Sequence, residues 1–555
     1  MKKLFLFLLF ISFLLGYTQE NKNQLLPRAF NGVVKKQKLK EEELKSWHYK
    51  DIIEDTIPGI SLDKAYDKIL RGKKGDTVIV AVIDTEVDIY HEDLKKQFWI
   101  NTKEVPNNGQ DDDHNGYIDD IHGWNFLGNQ KGENIIYTSY ESVRLIKKFK
   151  PIFENKTIDT SLVSQQENYK IYQEAKRRLK ENIESKQQQL KTIQKYQQDI
   201  KDAINGLKHY FATGSITKEN LLEFKTEDTI AEKQAKKIID YINRGITEES
   251  LLGFIEQNNG ALELSANLDY QERKITGDNP NEIKDIAYGN NNVSGNLDKL
   301  YHGTIVTGVI AAKRDNNKGI DGVINEVKIM TLCVSANGDE LDKDIALAIR
   351  YAVDNGAKII NMSSGKLLSM NRHWVSEAIK YAAKKDVLFI TSAGNNALLL
   401  DEKENNYYPN DNDSNEKEIS NNFMMVGANS YTLDKKLRYY LTNYGKNNVD
   451  LFAPGYKVYT TLPNNKYRYS QGTSIATPIV SGVAALLMSH YPDLKASQIK
   501  EILMKSGVSY NIDVEMFQKD DSKKMIPFSE LSKSGKVVNA YNALVLAEQI
   551  SKSKK

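Results

Sequence analysis

The sequence predicts an α/β fold: a doubly wound, mostly parallel sheet with helices on both faces, interrupted by an inserted α-helical hairpin. Three observations lead to this reading. Several short runs are continuously apolar and β-branched, as strands buried on both faces are. Amphipathic stretches such as KDIALAIRYAVDN (343–355) and RHWVSEAIKYAAKK (372–385) lie between some of these runs, and strand–helix alternation marks a parallel sheet. A long Lys/Gln/Glu-rich block in the middle breaks the alternation and keeps helical spacing throughout.

The 555-residue chain opens with MKKLFLFLLFISFLLGYTQE. A Lys2–Lys3 head, an apolar stretch over 4–15 and a polar exit form a signal-peptide pattern (1–19), too short to cross a bilayer comfortably. An uncleaved anchor is the alternative. The pattern predicts an exported protein, in the periplasm or the medium. A charged N-terminal arm (20–59) follows. The run TVIVAVID then predicts the first buried strand, ending at Asp84, and further strands are predicted at 327–334, 356–363, 386–395 and 423–428. Between 164 and 211, Tyr172, Ala175, Leu179, Ile183, Leu190, Ile193, Ile200, Ile204 and Leu207 recur at helical spacing. A second helical stretch covers about 218–255. The two predict a long hairpin whose charges form a solvated face. The α/β domain therefore divides into 60–134 and 287–548, around a mainly helical insertion at 135–286 and ahead of a basic tail at 549–555. An antiparallel excursion lets the chain return close to its exit at small entropic cost. Lying between two parts of one domain, the insertion is expected to flank the cleft and limit access by folded proteins.

Charge and cysteine content narrow the function. With 76 basic and 74 acidic residues the net charge is +2, which gives no case for nucleic acid or an anionic membrane surface. Membrane contact is expected only through the leader before its cleavage. The single cysteine, Cys333, sits in the apolar run VKIMTLCV and has no second cysteine to pair with in the chain. An exported chain of this kind depends on its core and on bound ions for stability.

In open α/β sheets, functional groups collect at the carboxyl ends of the strands. Asp84 ends the first strand, His302 opens HGTIVTGVIAA, and Ser474 opens the small-residue helix of GTSIATPIVSGVAALL (472–487). Taken singly, these residues read as a turn acid, a surface histidine and a helix cap. Together they meet a chemical requirement. A hydroxyl nucleophile needs a base near neutral pKa, and the base needs a carboxylate to hold its tautomer. A developing oxyanion needs pre-oriented donors, which Asn395 in FITSAGNN and the Ser474 backbone amide can supply.

These segments resemble those of the subtilisin-like serine proteases, the subtilases. AVIDTEVD is similar to their Asp motif, HGTIVTGVIAA to their His motif, SAGNN to their oxyanion motif and GTSIATP to their Ser motif, in the family's order. The resemblance covers roughly 60–127 and 287–548 and passes over the insertion. It implies a subtilisin-like fold and an endopeptidase acting on peptide or protein substrates. Asp84 would orient His302, His302 would be general base and then acid, Ser474 the nucleophile and Asn395 the oxyanion donor. NMSSG is similar to the family's substrate-pairing edge, which points to Ser363, Ser364 and Gly365. The chain departs from the family pattern at Glu86 (usually Gly), Ile305 (often His), Ile475 and Thr477 (usually Met and Ala) and Lys366 (frequently Gly). Glu86 is expected to sit near the triad and raise the pKa of His302. The alternatives are a non-catalytic binding protein that works through the helical insertion, and an esterase.

A second site is predicted in DDDHNGYIDD (111–120). Asp111, Asp113 and Asn115, then Gly116 and Ile118, follow the first part of a calcium loop. The twelfth position is His122, not a bidentate Glu, so Asp119 or Asp120 is expected to close the shell, with the Tyr117 carbonyl contributing. NGYIDDIHGWNF is also similar to a loop of bacterial subtilases. The expectation is a structural Ca²⁺; an acidic turn is the alternative.

Overall fold

The computed structural model describes residues 29–30, 39–154, 163–211, 216–243, 245–412, 417–517 and 522–554. The signal-peptide reading falls outside these residues. The described residues divide into two compact units, one formed by those up to 135 with 273–335 and those from 340 onward, the other by those in 136–272 with 336–339.

The first unit is built on seven strands: β1 (Val78–Asp84), β2 (Gly123–Asn125), β3 (Val327–Cys333), β4 (Ile359–Met362), β5 (Leu388–Ser392), β6 (Phe423–Asn429) and β7 (Leu451–Pro454). They form one sheet in the order β2-β3-β1-β4-β5-β6-β7. Every neighbouring pair is parallel. The chain goes from β1 to one side of the sheet, then crosses to the other, so the topological switch lies at β1, where ligands gather in open α/β sheets.

The absence of polar alternation in β1 has a direct cause. Val78, Val80 and Val82 pack on one face with Val306, Val309, Ile479, Val480 and Val483. Ala81 and Ile83 pack on the other with Ile345, Ile349, Val375 and Ile379. Each large aliphatic side chain buried this way contributes roughly 1.5–3 kcal/mol. The Thr473–His490 helix runs through the first of these layers. Its small residues allow close approach: a Cβ on Gly482 would meet Val323 Cβ at 2.5 Å. Among the described residues this is the one helix long and apolar enough to cross a membrane, and 89% of that apolar window is buried inside the protein. It is a core helix.

Within the described residues, part of the arm is packed into the core and the tail is helical. Trp47 is fully buried and its Nε1 donates to the Lys457 carbonyl at 3.1 Å. The Ala540–Ser553 helix continues into the segment read as a basic tail. Residues 273–286, read as the end of the insertion, fold with the first unit.

The second unit carries the 45-residue Val163–Leu207 helix, as its apolar spacing predicts. The return path differs from a simple hairpin. It is cut into Lys218–Glu223, Thr229–Asn243 and Glu248–Gly260, with the Thr217 and Thr247 side chains capping the first and last by accepting from the Asn220 and Ser250 amides. A further helix, Glu141–Phe153, packs against the long one. One apolar cluster gathers Ala203, Leu207, Leu221, Ala231, Ala235 and Ile238; another gathers Tyr140, Val143, Ala261 and Ala266 with Leu179 and Ile183. The insertion is thus a small multi-helix unit.

Where the chain re-enters the first unit, a buried charge network fixes it. Lys343 is fully buried, and its Nζ donates to Asp278 Oδ2 at 2.6 Å and to the Asn279 carbonyl at 2.9 Å. Arg273 donates to Asp278 Oδ1 at 2.7 Å and makes a two-pronged pair with Asp344 at 2.9 and 3.1 Å. Tyr288 lies against both cations and donates to Asp344 at 2.6 Å. Breaking a buried pair strands its partner in low dielectric. Asp278→Ala is therefore expected to lower unfolding stability by about 3–5 kcal/mol in urea titration. A loss under about 1 kcal/mol would show that water or a rearranged partner replaces Asp278.

Candidate active site

At the end of β1, Asp84 is buried and its Oδ1 accepts from the Thr85 amide at 2.7 Å. The same oxygen pairs with His302 Nδ1 at 2.8 Å, although 218 positions separate the two residues. His302 is the first residue of the His302–Ala311 helix. That helix start is seated tightly: the Gly303 amide donates to Thr85 Oγ1 at 2.8 Å, and a Cβ there would lie 2.6 Å from the Thr85 carbonyl. The Thr304 and Ile305 carbonyls accept from the Thr461 and Thr460 hydroxyls at 2.7 and 2.8 Å. These contacts leave the imidazole little freedom to rotate away. About a third of its side chain (34%) remains open to solvent. Nε2 has no hydrogen-bond partner among the described residues.

Burial alone would lower the His302 pKa. The charge and hydrogen bond of Asp84, together with the charge of Glu340, more than offset this and hold it above its ordinary value. Glu340 takes the place expected for Glu86. The Glu86 carboxylate is buried among asparagines instead: it accepts from the Asn134 and Asn296 side chains at 2.8 and 3.0 Å and from the Asn296 amide. It organises the loop ahead of His302 and does not act on the imidazole.

Ser474 is half-buried in the first turn of the Thr473–His490 helix, behind Gly472 at φ 127°. Its backbone amide has no acceptor within the helix, as first-turn amides lack one, and the helix dipole adds to its strength as a donor. Asn395 stands beside it, with Oδ1 accepting from the Thr473 amide at 2.9 Å. That bond turns the amide group so that Nδ2 is the free donor; Nδ2 and Ser474 Oγ both line the space a side chain at Gly472 would enter, at 3.3 and 3.4 Å. The loop carrying Asn395 is held by Asn443, which is fully buried. Asn443 Nδ2 donates to the Ala393 carbonyl at 2.7 Å and Oδ1 accepts from the Asn396 and Leu398 amides. Neither Asn443 nor Thr473 stood out in the sequence, because an asparagine in a polar loop and a threonine in a helix start are commonplace.

Residues 363–365 follow β4 and make no backbone hydrogen bond among the described residues, so their polar edge is open. They are nonetheless fixed. Ser363 Oγ accepts from Asn361 at 3.0 Å, Ser364 Oγ meets Ser335 Oγ at 3.2 Å, and Lys366 pairs with Tyr408 in both directions at 2.9 and 2.8 Å. Lys366 is buried, with Nζ on Asp342 Oδ1 at 3.0 Å and the Glu340 carbonyl at 2.6 Å. Its replacement of a small residue anchors the edge.

The acidic loop is placed differently from its sequence reading. Glu104, Asp111 and Asp113 bring carboxylate oxygens within 4.8 Å of one another, a set of hard donors able to hold a cation. Glu104 lay outside the loop motif and was not expected. Asp119 and Asp120 are engaged elsewhere: Asp119 accepts from the Asn108 and Gly109 amides, and Asp120 from Asn101, Asn115 and Tyr351. Burial raises the Asp120 carboxyl to about 6 against the pull of these hydrogen bonds. Asn115 uses its Oδ1 to accept from the Tyr117 amide at 2.8 Å.

The sequence profile of the Subtilase family matches residues 75–524. The thermophilic serine proteinase of Bacillus sp. (strain AK1) is 35% identical over 195 residues, which cover 35% of this chain and 44% of that protein. The cell wall-associated protease of Bacillus subtilis (strain 168) is 35% identical over 222 residues, covering 39% and 22%. Subtilisin DY of Bacillus licheniformis is 32% identical over 228 residues, covering 40% and 77%. The chain thus spans less than half the length of the first two relatives and about three quarters of the third. With a family match over most of its length and a parallel sheet whose carboxyl edge carries the Asp84–His302 pair, the chain belongs to the subtilase family.

Proposed function

We propose that the chain is a serine endopeptidase that hydrolyses peptide bonds through Ser474, His302 and Asp84. The observation that carries this reading is the 2.8 Å bond from a buried Asp84 to His302 Nδ1, which fixes the tautomer with the base lone pair on Nε2. Ser474 Oγ attacks the substrate carbonyl carbon while Nε2 takes its proton. The carbonyl oxygen becomes an oxyanion held by the Ser474 amide and Asn395 Nδ2. As the tetrahedral species collapses, the imidazolium gives its proton to the departing amine and an acyl-enzyme remains. Water then repeats the cycle with His302 again as base. The open backbone of 363–365 pairs with an extended substrate strand, and that favours peptides over simple esters. On the strength of its leader sequence the protein is exported. Glu104, Asp111 and Asp113 fit a structural Ca²⁺, which would stiffen a chain that has no disulfide to do so.

Ser474→Ala is expected to abolish peptide hydrolysis, by on the order of a millionfold in kcat, with the fold retained by circular dichroism. Hydrolysis at the wild-type rate would remove Ser474 from the mechanism. Asn395→Ala should lower kcat roughly a hundredfold to a thousandfold and leave KM nearly unchanged; an effect on KM alone would make Asn395 a binding residue.

The base must be neutral to act, so activity falls as pH drops through the His302 pKa. Because that pKa is raised, the midpoint of the acid limb in kcat/KM should lie above about 6.5. Glu340→Gln should move the limb to lower pH, while Glu86→Gln should not move it. The reverse pattern would mean that Glu86 faces the imidazole after all.

Chelation should lower the Tm and speed self-digestion, since an ion bound only by the folded state stabilises it by about 2.7 kcal/mol at a hundredfold excess over Kd. Glu104→Gln with Asp113→Asn should remove the response to calcium. No chelator effect on the wild type would reduce the loop to an acidic turn.

A further inference from the structure

The following inference rests on the peptidase reading and defines its substrate class. A substrate that acylates Ser474 has its carbonyl oxygen at Asn395 and its preceding chain along 363–365. The residue bearing that carbonyl therefore sends its side chain between two backbone segments, 363–365 and 393–395. Both segments are thin at the facing positions, Gly365 and Gly394, and such a slot would otherwise accept a large side chain.

The slot is already filled. A Cβ on Gly365 would lie 2.7 Å from Tyr407 Cε1, and a Cβ on Gly394 would lie 2.6 Å from Tyr407 Cε2. Opposite edges of one phenol ring thus face the two glycines, and the ring spans the gap between the walls. Tyr407 is 8% exposed, so little of the ring is left to retreat into solvent. Its neighbour Tyr408 is bonded through its backbone to Lys366 in both directions, and Lys366 is tied to Asp342 by a buried 3.0 Å ion pair. The backbone next to Tyr407 is thereby held in place. We propose that Tyr407 closes the slot for the residue before the cut and restricts it to Gly, Ala or Ser.

Peptide substrates that differ only at this residue test the proposal on the full chain. For the wild type, kcat/KM with Ala should exceed that with Phe or Leu by roughly a hundredfold or more, a discrimination within reach of packing in a small pocket. Tyr407→Ala should shift the Phe-to-Ala ratio at least tenfold toward Phe, and Tyr407→Phe, which keeps the ring, should leave the ratio as it was. Fragment mapping of a denatured protein mixture cut by the wild type reads the same preference without any variant. Cleavage after Phe or Leu as readily as after Ala would overturn the proposal and leave the peptidase reading standing. Cleavage of neither the peptides nor the mixture would defeat both.

Discussion

A carboxylate removed from water costs several kcal/mol unless its oxygens are bonded and its charge is answered, and at Asp84 the charge is answered by one imidazole while only one oxygen is bonded. Asp84 Oδ1 takes bonds from Thr85 and His302, while Oδ2 is buried without a partner among the described residues. The site therefore gains most when His302 is positive, which is the state a base reaches midway through its work. Around this bond the fold is ordered outward. β1 must be central in the sheet, the His302–Ala311 helix must start at its carboxyl end, and glycine must stand at 303, where a side chain would strike the Thr85 carbonyl. The chain between them must leave and come back close to where it left, and it re-enters through the Arg273–Asp278–Lys343–Asp344 network.

The positions at which the chain departs from its family show how a site absorbs unusual residues. A glutamate following the catalytic-strand turn would disturb the imidazole if it faced it. Here three asparagines, at 125, 134 and 296, surround the Glu86 carboxylate and turn its charge into loop structure. Lys366 is the converse case: a cation in a substrate-edge segment that is buried against Asp342 and so stiffens that edge. Neutral amides recur wherever a backbone turn near the nucleophile must be held, as Asn443 does for the loop of Asn395. They supply donors and acceptors together without adding a charge that would perturb His302.

The sheet was legible where its strands are long and uninterruptedly apolar, as in TVIVAVID and VKIMTLCV. Strands of three and four residues, Gly123–Asn125 and Leu451–Pro454, are too short to carry a period, and they exist because neighbouring strands offer them partners. The long helix of the insertion was legible from its apolar spacing; the breaks in its return path were not, because threonine caps resemble any polar residue until their amides are located. Asp84, His302, Asn395 and Ser474 stood out because four motifs in order point to one chemistry. Glu104 and Glu340 did not, since an isolated glutamate carries no local pattern and reaches its site through tertiary folding alone. For the same reason Glu86, two positions after Asp84, was misread: proximity along the chain says little about where a side chain points.

The central claim is that Asp84 makes Ser474 reactive by holding the His302 tautomer. The most direct measurement is the rate of labelling by a fluorophosphonate, with the modified residue identified by mass spectrometry, in the wild type and in Asp84→Asn. The account predicts one label per chain on Ser474 and a rate lower by roughly ten-thousandfold in Asp84→Asn, whose amide would favour the wrong tautomer. Labelling at another residue, or equal rates in the two proteins, would contradict it.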